Sequence, residues 1–166
     1  MSAVIRNPVV AEDLLAISTQ YDLPWQRLQG KRVLVSGASG FLPAYMVETL
    51  LFLNETQDLK IQVYALVRSR KNFEARFAHA LDRDDLICLE QAVSEPFAAD
   101  IRPDYIIHAA SQASPKFYSL DPIGTLSANT LGTAALLKLA VASNSKGFLF
   151  FSSGEVYGET EIVPTA

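Results

Sequence analysis

The chain has 166 residues, 49% of them hydrophobic and 19% charged, with a net charge of -4 and one cysteine. That is enough apolar chain for one sizeable core. The charges form no long run, which argues against nucleic-acid and anionic-membrane partners and leaves small soluble ligands. No apolar run reaches the length of a membrane span and no leader-like segment opens the chain. Cys88 lies in the apolar stretch Leu86-Ile87-Cys88-Leu89, as a reduced structural thiol would, so the expected compartment is the cytoplasm.

Residues 1–29 read as a helical extension to the fold. Asn7-Pro8 supplies an N-cap and a first-turn proline, apolar and acidic residues follow to Ile17, and Trp25 is placed to anchor the segment to the domain surface. Residues 30–166 read as one domain in which short strands alternate with helices. Strands are predicted at 31–36, 61–67, 85–89, 104–108 and 147–152, apolar without alternation, as parallel strands covered on both faces require. Helices are predicted at 41–54, 71–80 and 121–143, the last announced by Asp121-Pro122. The fold class is therefore α/β, a doubly wound parallel sheet with right-handed crossovers.

Between the first strand and the first long helix lies Ser36-Gly37-Ala38-Ser39-Gly40-Phe41-Leu42-Pro43. A pyrophosphate needs close approach to backbone N–H groups at a helix N-terminus, and Gly37 and Gly40 permit it. A bare structural turn uses glycine for the same backbone reasons. The position after the first strand of a doubly wound sheet is what favours a dinucleotide site. Pro43 stands where such turns usually carry a third glycine. A first-turn proline lacks an N–H that would be unpaired anyway, so the phosphate contact is expected to survive, with the helix slightly displaced from the sheet.

The second strand ends in Ala65-Leu66-Val67-Arg68-Ser69-Arg70, with Val67 in the place of the acid that would hold a ribose 2′-hydroxyl. Arg68, with Arg70 and Lys71 beside it, offers a guanidinium to a 2′-phosphate, and a solvated basic strand end is the other reading. NADP thus stands beside NAD as an expected cofactor.

The later strand ends carry a resemblance. Ile106-Ile107-His108-Ala109-Ala110-Ser111 and Phe150-Phe151-Ser152-Ser153-Gly154-Glu155-Val156-Tyr157-Gly158 resemble the extended short-chain dehydrogenase/reductase family, the NAD-dependent epimerases, dehydratases and decarboxylases of nucleotide sugars. The similarity covers residues 31–166, and the segment from His108 to Thr133 looks most like the UDP-glucuronate decarboxylase (UDP-xylose synthase) branch. The resemblance implies a Rossmann fold and a nucleotide-sugar substrate. It implies that Gly37, Ser39, Gly40, Phe41 and Leu42 surround the pyrophosphate, and that Val93, Ala109, Ala110, Ser111 and Asn129 make other cofactor contacts. Ser114, Pro115 and Tyr118 would face the sugar nucleotide. Ser153 falls on the family's catalytic Ser/Thr, and Glu155 on its acid for proton transfer or sugar orientation. Capping of the next turn by Ser152 or Ser153, and a solvated Glu155, are the structural alternatives. His108 reads as a satisfied strand-end histidine, and no metal is expected because no second ligand lies at useful spacing.

The implied chemistry passes a hydride from sugar C4 to the nicotinamide, so that the ketone eases loss of carbon dioxide or a proton from the neighbouring carbon, and then returns it. Gly154 replaces the general-acid aspartate of sugar dehydratases, and Ala92 replaces an aspartate expected near the adenine. No tyrosine is followed four residues later by lysine, so the family's Y-x-x-x-K pair is absent from these 166 residues, and the chain is expected to be a cofactor-binding portion, ending after the fifth strand, with little turnover of its own. A 4-epimerase, a 4,6-dehydratase and a non-catalytic sensor or assembly domain are the alternatives. The stretch 121–143 carries Ile123, Leu126, Leu131, Leu136, Leu137 and Val141, which predicts a homodimer through this helix.

Overall fold

Strand β1 (Arg32–Ser36) is buried at every position after its first, and the chain is wound around it. The computed structural model describes residues 7–20, 22–98, 100–111 and 119–158, for Glu155 the backbone alone. The sheet adds β2 (Gln62–Val67), β3 (Leu86–Glu90), β4 (Tyr105–His108) and β5 (Gly147–Phe150), all parallel, in the order β3-β2-β1-β4-β5. The chain steps outward from β1 to β3, then crosses back to β4 beside β1, so the strand order reverses between β1 and β4. Such a reversal opens a crevice at the strands' carboxyl ends. In register, Ser36 stands opposite Leu66 of β2 and His108 of β4, and His108 opposite Phe150 of β5.

The unbroken apolar strands follow from burial on both faces. Val33 and Val35 of β1 pack with Val63, Ala65 and Val67 of β2 on one face, against Val47, Leu50 and Leu51 of α2 (Phe41–Gln57) and Phe73 of α3 (Arg70–Arg76). Leu34, Leu66 and Ile106 point to the other face and meet Leu136 and Leu139 of the helix before β5. The period of two along each strand thus divides the core into two layers.

The N-terminal extension forms helix α1 (Pro8–Thr19), capped by the Asn7 side chain on Val9 N at 3.0 Å, with Pro8 in its first turn as the sequence predicts. Leu14 is fully buried, the Tyr45 hydroxyl of α2 donates to Asp13 at 2.8 Å, and half-buried Trp25 packs on the core.

The helix predicted at 121–143 is divided into α4 (Pro122–Asn129) and α5 (Leu131–Ser143). Thr125, Thr130 and Thr133 each donate a hydroxyl hydrogen bond to the carbonyl four residues earlier, at 2.9, 2.7 and 2.6 Å, a competition with the helix ladder that bends helices. Leu136 belongs to the core, so the apolar surface of this pair is Ile123, Leu126, Leu131, Leu137 and Val141. The helix predicted at 71–80 ends at Arg76 and passes into a short 3₁₀ turn, Ala78–Ala80. Strand β5, predicted to reach 152, ends at Phe150 because β4, its only neighbour among the described residues, ends at His108 and leaves there a single further bond, from Phe151 N to His108 O. Among the described residues no helix is long and apolar enough to cross a membrane.

Leu34 is fully buried at the centre of the sheet. Leu34→Ala should lower the free energy of urea unfolding by about 2–5 kcal/mol, and a loss below about 1 kcal/mol would show that the second core layer tolerates the cavity.

Candidate functional site

The glycine turn is shaped by what it touches. Gly37 has φ +70°, and a Cβ there would lie 2.9 Å from Ala110 Cα and 3.0 Å from the Ala109 carbonyl oxygen. Backbone meets backbone at this point, so only glycine fits. The Leu66 carbonyl accepts from the N–H groups of Gly37 at 2.9 Å and Ala38 at 3.2 Å, which ties the turn to the end of β2. Gly40 N donates to Gly37 O at 2.8 Å, and Gly40 then caps α2 without any side-chain hydrogen bond. The amides of Phe41 and Leu42 lie in the first turn, where no intrahelical carbonyl serves them. Pro43 is buried in that same turn and contributes no N–H, and the helix ladder opens with Ala44 N to Gly40 O at 3.0 Å. The turn therefore presents unpaired donors at the positive end of a helix.

Behind the turn, the Ser36 hydroxyl oxygen accepts from Ala109 N and Ala110 N, both at 3.1 Å, and its proton is left for His108 Nδ1 at 2.8 Å. This places the imidazole proton on Nε2, which is buried without a hydrogen-bond partner among the described residues. Burial pushes the His108 pKa down, opposed only in part by the backbone of Ala128. Among the described residues, the histidine expected to be satisfied has a partner at Nδ1 and none at Nε2. Among the described residues no cluster of potential metal ligands exists.

A cleft of about 570 Å³ opens at the carboxyl ends of the strands. Gly37, Ser39, Gly40, Phe41 and Leu42 form one wall, Arg68 stands at the end of β2, Val93 lies past β3, and Ala109, Ala110 and Ser111 continue β4. Ten of the predicted cofactor residues therefore share one cavity. Asn129 is exposed outside this lining and the neighbouring Ala128 lies in it. Ser153 is exposed three residues beyond β5, and it is Ser152, with Phe151, that lines the cleft. The backbone of Glu155 lies in a 3₁₀ turn, Gly154–Tyr157, and its side chain, like Ser114, Pro115 and Tyr118, falls outside the described residues.

Sequence reading missed Ser69, Asn72, Ala128 and Phe151 as lining residues. For Ser69, Asn72 and Phe151 a position just after a strand end, or one helical turn from it, was the available signal, whereas Ala128, within α4, carried none. Gly132 of α5 has a similar hidden role: a Cβ there would come within 2.6 Å of Val93 Cγ1, so its absence lets the helix press a cleft residue into place.

Residues 33–166 match the model of the NAD dependent epimerase/dehydratase family. The chain belongs to this family. Among curated proteins it is similar to UDP-glucuronic acid decarboxylase 3 of Arabidopsis thaliana, 33% identical over 133 residues, which cover 80% of this chain and 36% of the relative. UDP-glucuronic acid decarboxylase 1 of Danio rerio is 31% identical over 134 residues, covering 81% of this chain and 30% of the relative. The chain thus spans about a third of the length of the curated relatives it matches. Among solved structures, UDP-glucose 4-epimerase of Thermotoga maritima with UDP-glucose superposes with a TM-score of 0.62 at 24% identity, covering 81% of this chain and 42% of that one. The Bordetella bronchiseptica enzyme WbmF in complex with NAD+ gives a TM-score of 0.59 at 22% identity, covering 82% and 39%. These structures share the fold, the doubly wound parallel sheet predicted from the strand pattern.

Ser36→Ala leaves two amides and His108 Nδ1 without their shared partner, and should cost about 1–3 kcal/mol in urea unfolding. The neutral imidazole is the folded form, so the contribution of His108 is complete above the ordinary value of 6.5 and is lost as pH falls below it towards the depressed folded value. Between about pH 7.5 and about pH 5.5 the unfolding free energy should therefore drop further in the native protein than in His108→Gln, and equal drops would show that His108 titrates alike in both states.

Proposed function

We propose that this chain is the cofactor-binding portion of a nucleotide-sugar enzyme of the UDP-glucuronate decarboxylase kind. The observation that carries the proposal is the single cleft shared by the glycine turn and the ends of β2, β4 and β5. The curated relatives named UDP-glucuronic acid decarboxylase support the reaction class. The residues fit a nicotinamide dinucleotide: a Cβ-free turn and the first-turn amides of α2 suit a pyrophosphate, and apolar Val93, Ala109 and Ala110 suit the flat faces of its rings. When bound, such a cofactor accepts and returns a hydride.

The chain's own residues bind, orient and move protons. Ser153 hydrogen-bonds the sugar hydroxyl to be oxidised, and Glu155 orients the sugar or exchanges a proton with it. Gly154, with open space around its Cα, supplies no acid between them, which weighs against dehydration. No tyrosine in the 166 residues has a lysine four positions on, so this stretch by itself lacks the base for the hydroxyl proton and binds without turnover. The free Cys88, half-buried with its thiol pKa pushed up by burial, suits a reducing cytoplasm. The exposed Ile123, Leu126, Leu131, Leu137 and Val141 of α4 and α5 are proposed to pair two copies.

Calorimetric titration should show binding of NAD or NADP, abolished by Gly40→Trp, and failure of both cofactors would overturn the proposal. The chain alone should release no carbon dioxide from UDP-glucuronate. Extended through a tyrosine–lysine pair it should release carbon dioxide, whereas interconversion of 4-epimers without that loss would place it with the epimerases. Sedimentation should show a dimer that Leu131→Glu together with Val141→Glu converts to monomer.

A further inference from the structure

We propose that the cleft selects a dinucleotide with a phosphate on its adenosine ribose, and that Arg68 is the residue that selects it. This rests on the dinucleotide reading above and adds to it the choice of cofactor. Because Leu66 O holds the glycine turn, the residues that follow β2 stand beside the turn, where the ribose next to a bound pyrophosphate comes to lie. A site for a bare 2′-hydroxyl places a carboxylate there. Among the described residues lining this cleft there is no Asp or Glu, and Val67 in the expected position is buried and apolar.

The charge that does line the cleft is positive. Arg68 is its one charged residue among those described, it is exposed, and it makes no hydrogen bond or ion pair with the described residues. Arg70, two residues on, is committed elsewhere: its backbone N donates to Glu90 Oε1 at 2.8 Å and its Nε lies 3.7 Å from Glu90 Oε2. The same contacts engage the carboxylate at the end of β3, so Glu90 does not neutralise the cleft. Ser69 and Asn72 line the wall beside Arg68. The Ser69 oxygen accepts from Asn72 N at 3.3 Å, which leaves the hydroxyl proton and the Asn72 amide as neutral donors next to the guanidinium. An arginine with only donors, flanked by a hydroxyl and an amide, is the recognition set of a phosphate dianion rather than of a neutral hydroxyl.

Titration calorimetry of the native chain with NADP, NAD, adenosine 2′,5′-bisphosphate and ADP tests this. NADP should bind about tenfold or more tightly than NAD, with the same order for the two adenosine halves. Arg68→Ala should close that gap by weakening NADP, and Arg68→Lys should recover part of it, while the unfolding midpoint of both variants stays at the native value because the side chain is exposed. NAD binding as tightly as NADP, or a preference unchanged in Arg68→Ala, would overturn the inference and leave the dinucleotide reading standing. Binding of neither cofactor would overturn both.

Discussion

One buried hydroxyl holds the two halves of the sheet together where the site opens. Ser36 closes β1, and its side chain takes two amide protons from the continuation of β4 while giving its own to His108. Those contacts span more than seventy positions of sequence and occur where the strand order reverses. The next residue, Gly37, presses its bare Cα against Ala110. The seam between β1 and β4 is thus closed by a three-bonded oxygen and by backbone contact, with no side chain between. The turn, the start of α2 and the end of β4, which form one side of the cleft, all leave from that seam.

The electrostatics of the cleft follow from the same arrangement. Its walls are backbone, small apolar residues and a helix end, and these carry partial positive charge but little full charge. Against that quiet background a single guanidinium at the end of β2 has an effect that a crowded ionic surface would screen. The most enclosed ion-pair cluster among the described residues lies at the other end of the sheet: Arg83 is chelated by Asp85 and held by Glu55 near the start of β3, where the hydrogen bonds of Arg83 and Asn54 overcome burial and keep the Asp85 carboxyl below its usual range. The Arg83 cluster and the Arg32–Asp104 pair lie at the amino ends of the strands, and the Arg70–Glu90 pair lies beside Arg68 at the carboxyl ends.

Much of this was legible in the sequence because the signals were local. The five strands show as apolar runs because both sheet faces are covered, and the caps at Asn7 and Asp121 work through residues two and three positions away. What the sequence concealed depended on partners distant along the chain. Strand β5 is shorter than its apolar run because β4 supplies no further pairing, and the division of the long helix comes from threonine hydroxyls whose direction no periodicity shows. Asn129 matches a family pattern, yet the phase of α4 brings Ala128 to the cleft. Ser36 looked like a turn residue before a glycine, and nothing nearby announced His108 as its partner. The exposed face of α4 and α5 was readable as a stripe, but Leu136 within it is fully buried against the sheet.

The N-terminal helix lies outside the stretch that matches the family, which begins at residue 33. Its Asp13 nevertheless holds the hydroxyl of Tyr45, and the Tyr45 ring meets Phe41 edge-on at 5.7 Å. Phe41 is the first residue of α2 and contributes to the cleft wall. An element added to the family fold therefore acts as a splint on the helix end that faces the ligand, so a change in how the extension is seated reaches the phosphate-facing amides through two side chains, without altering any residue of the cleft.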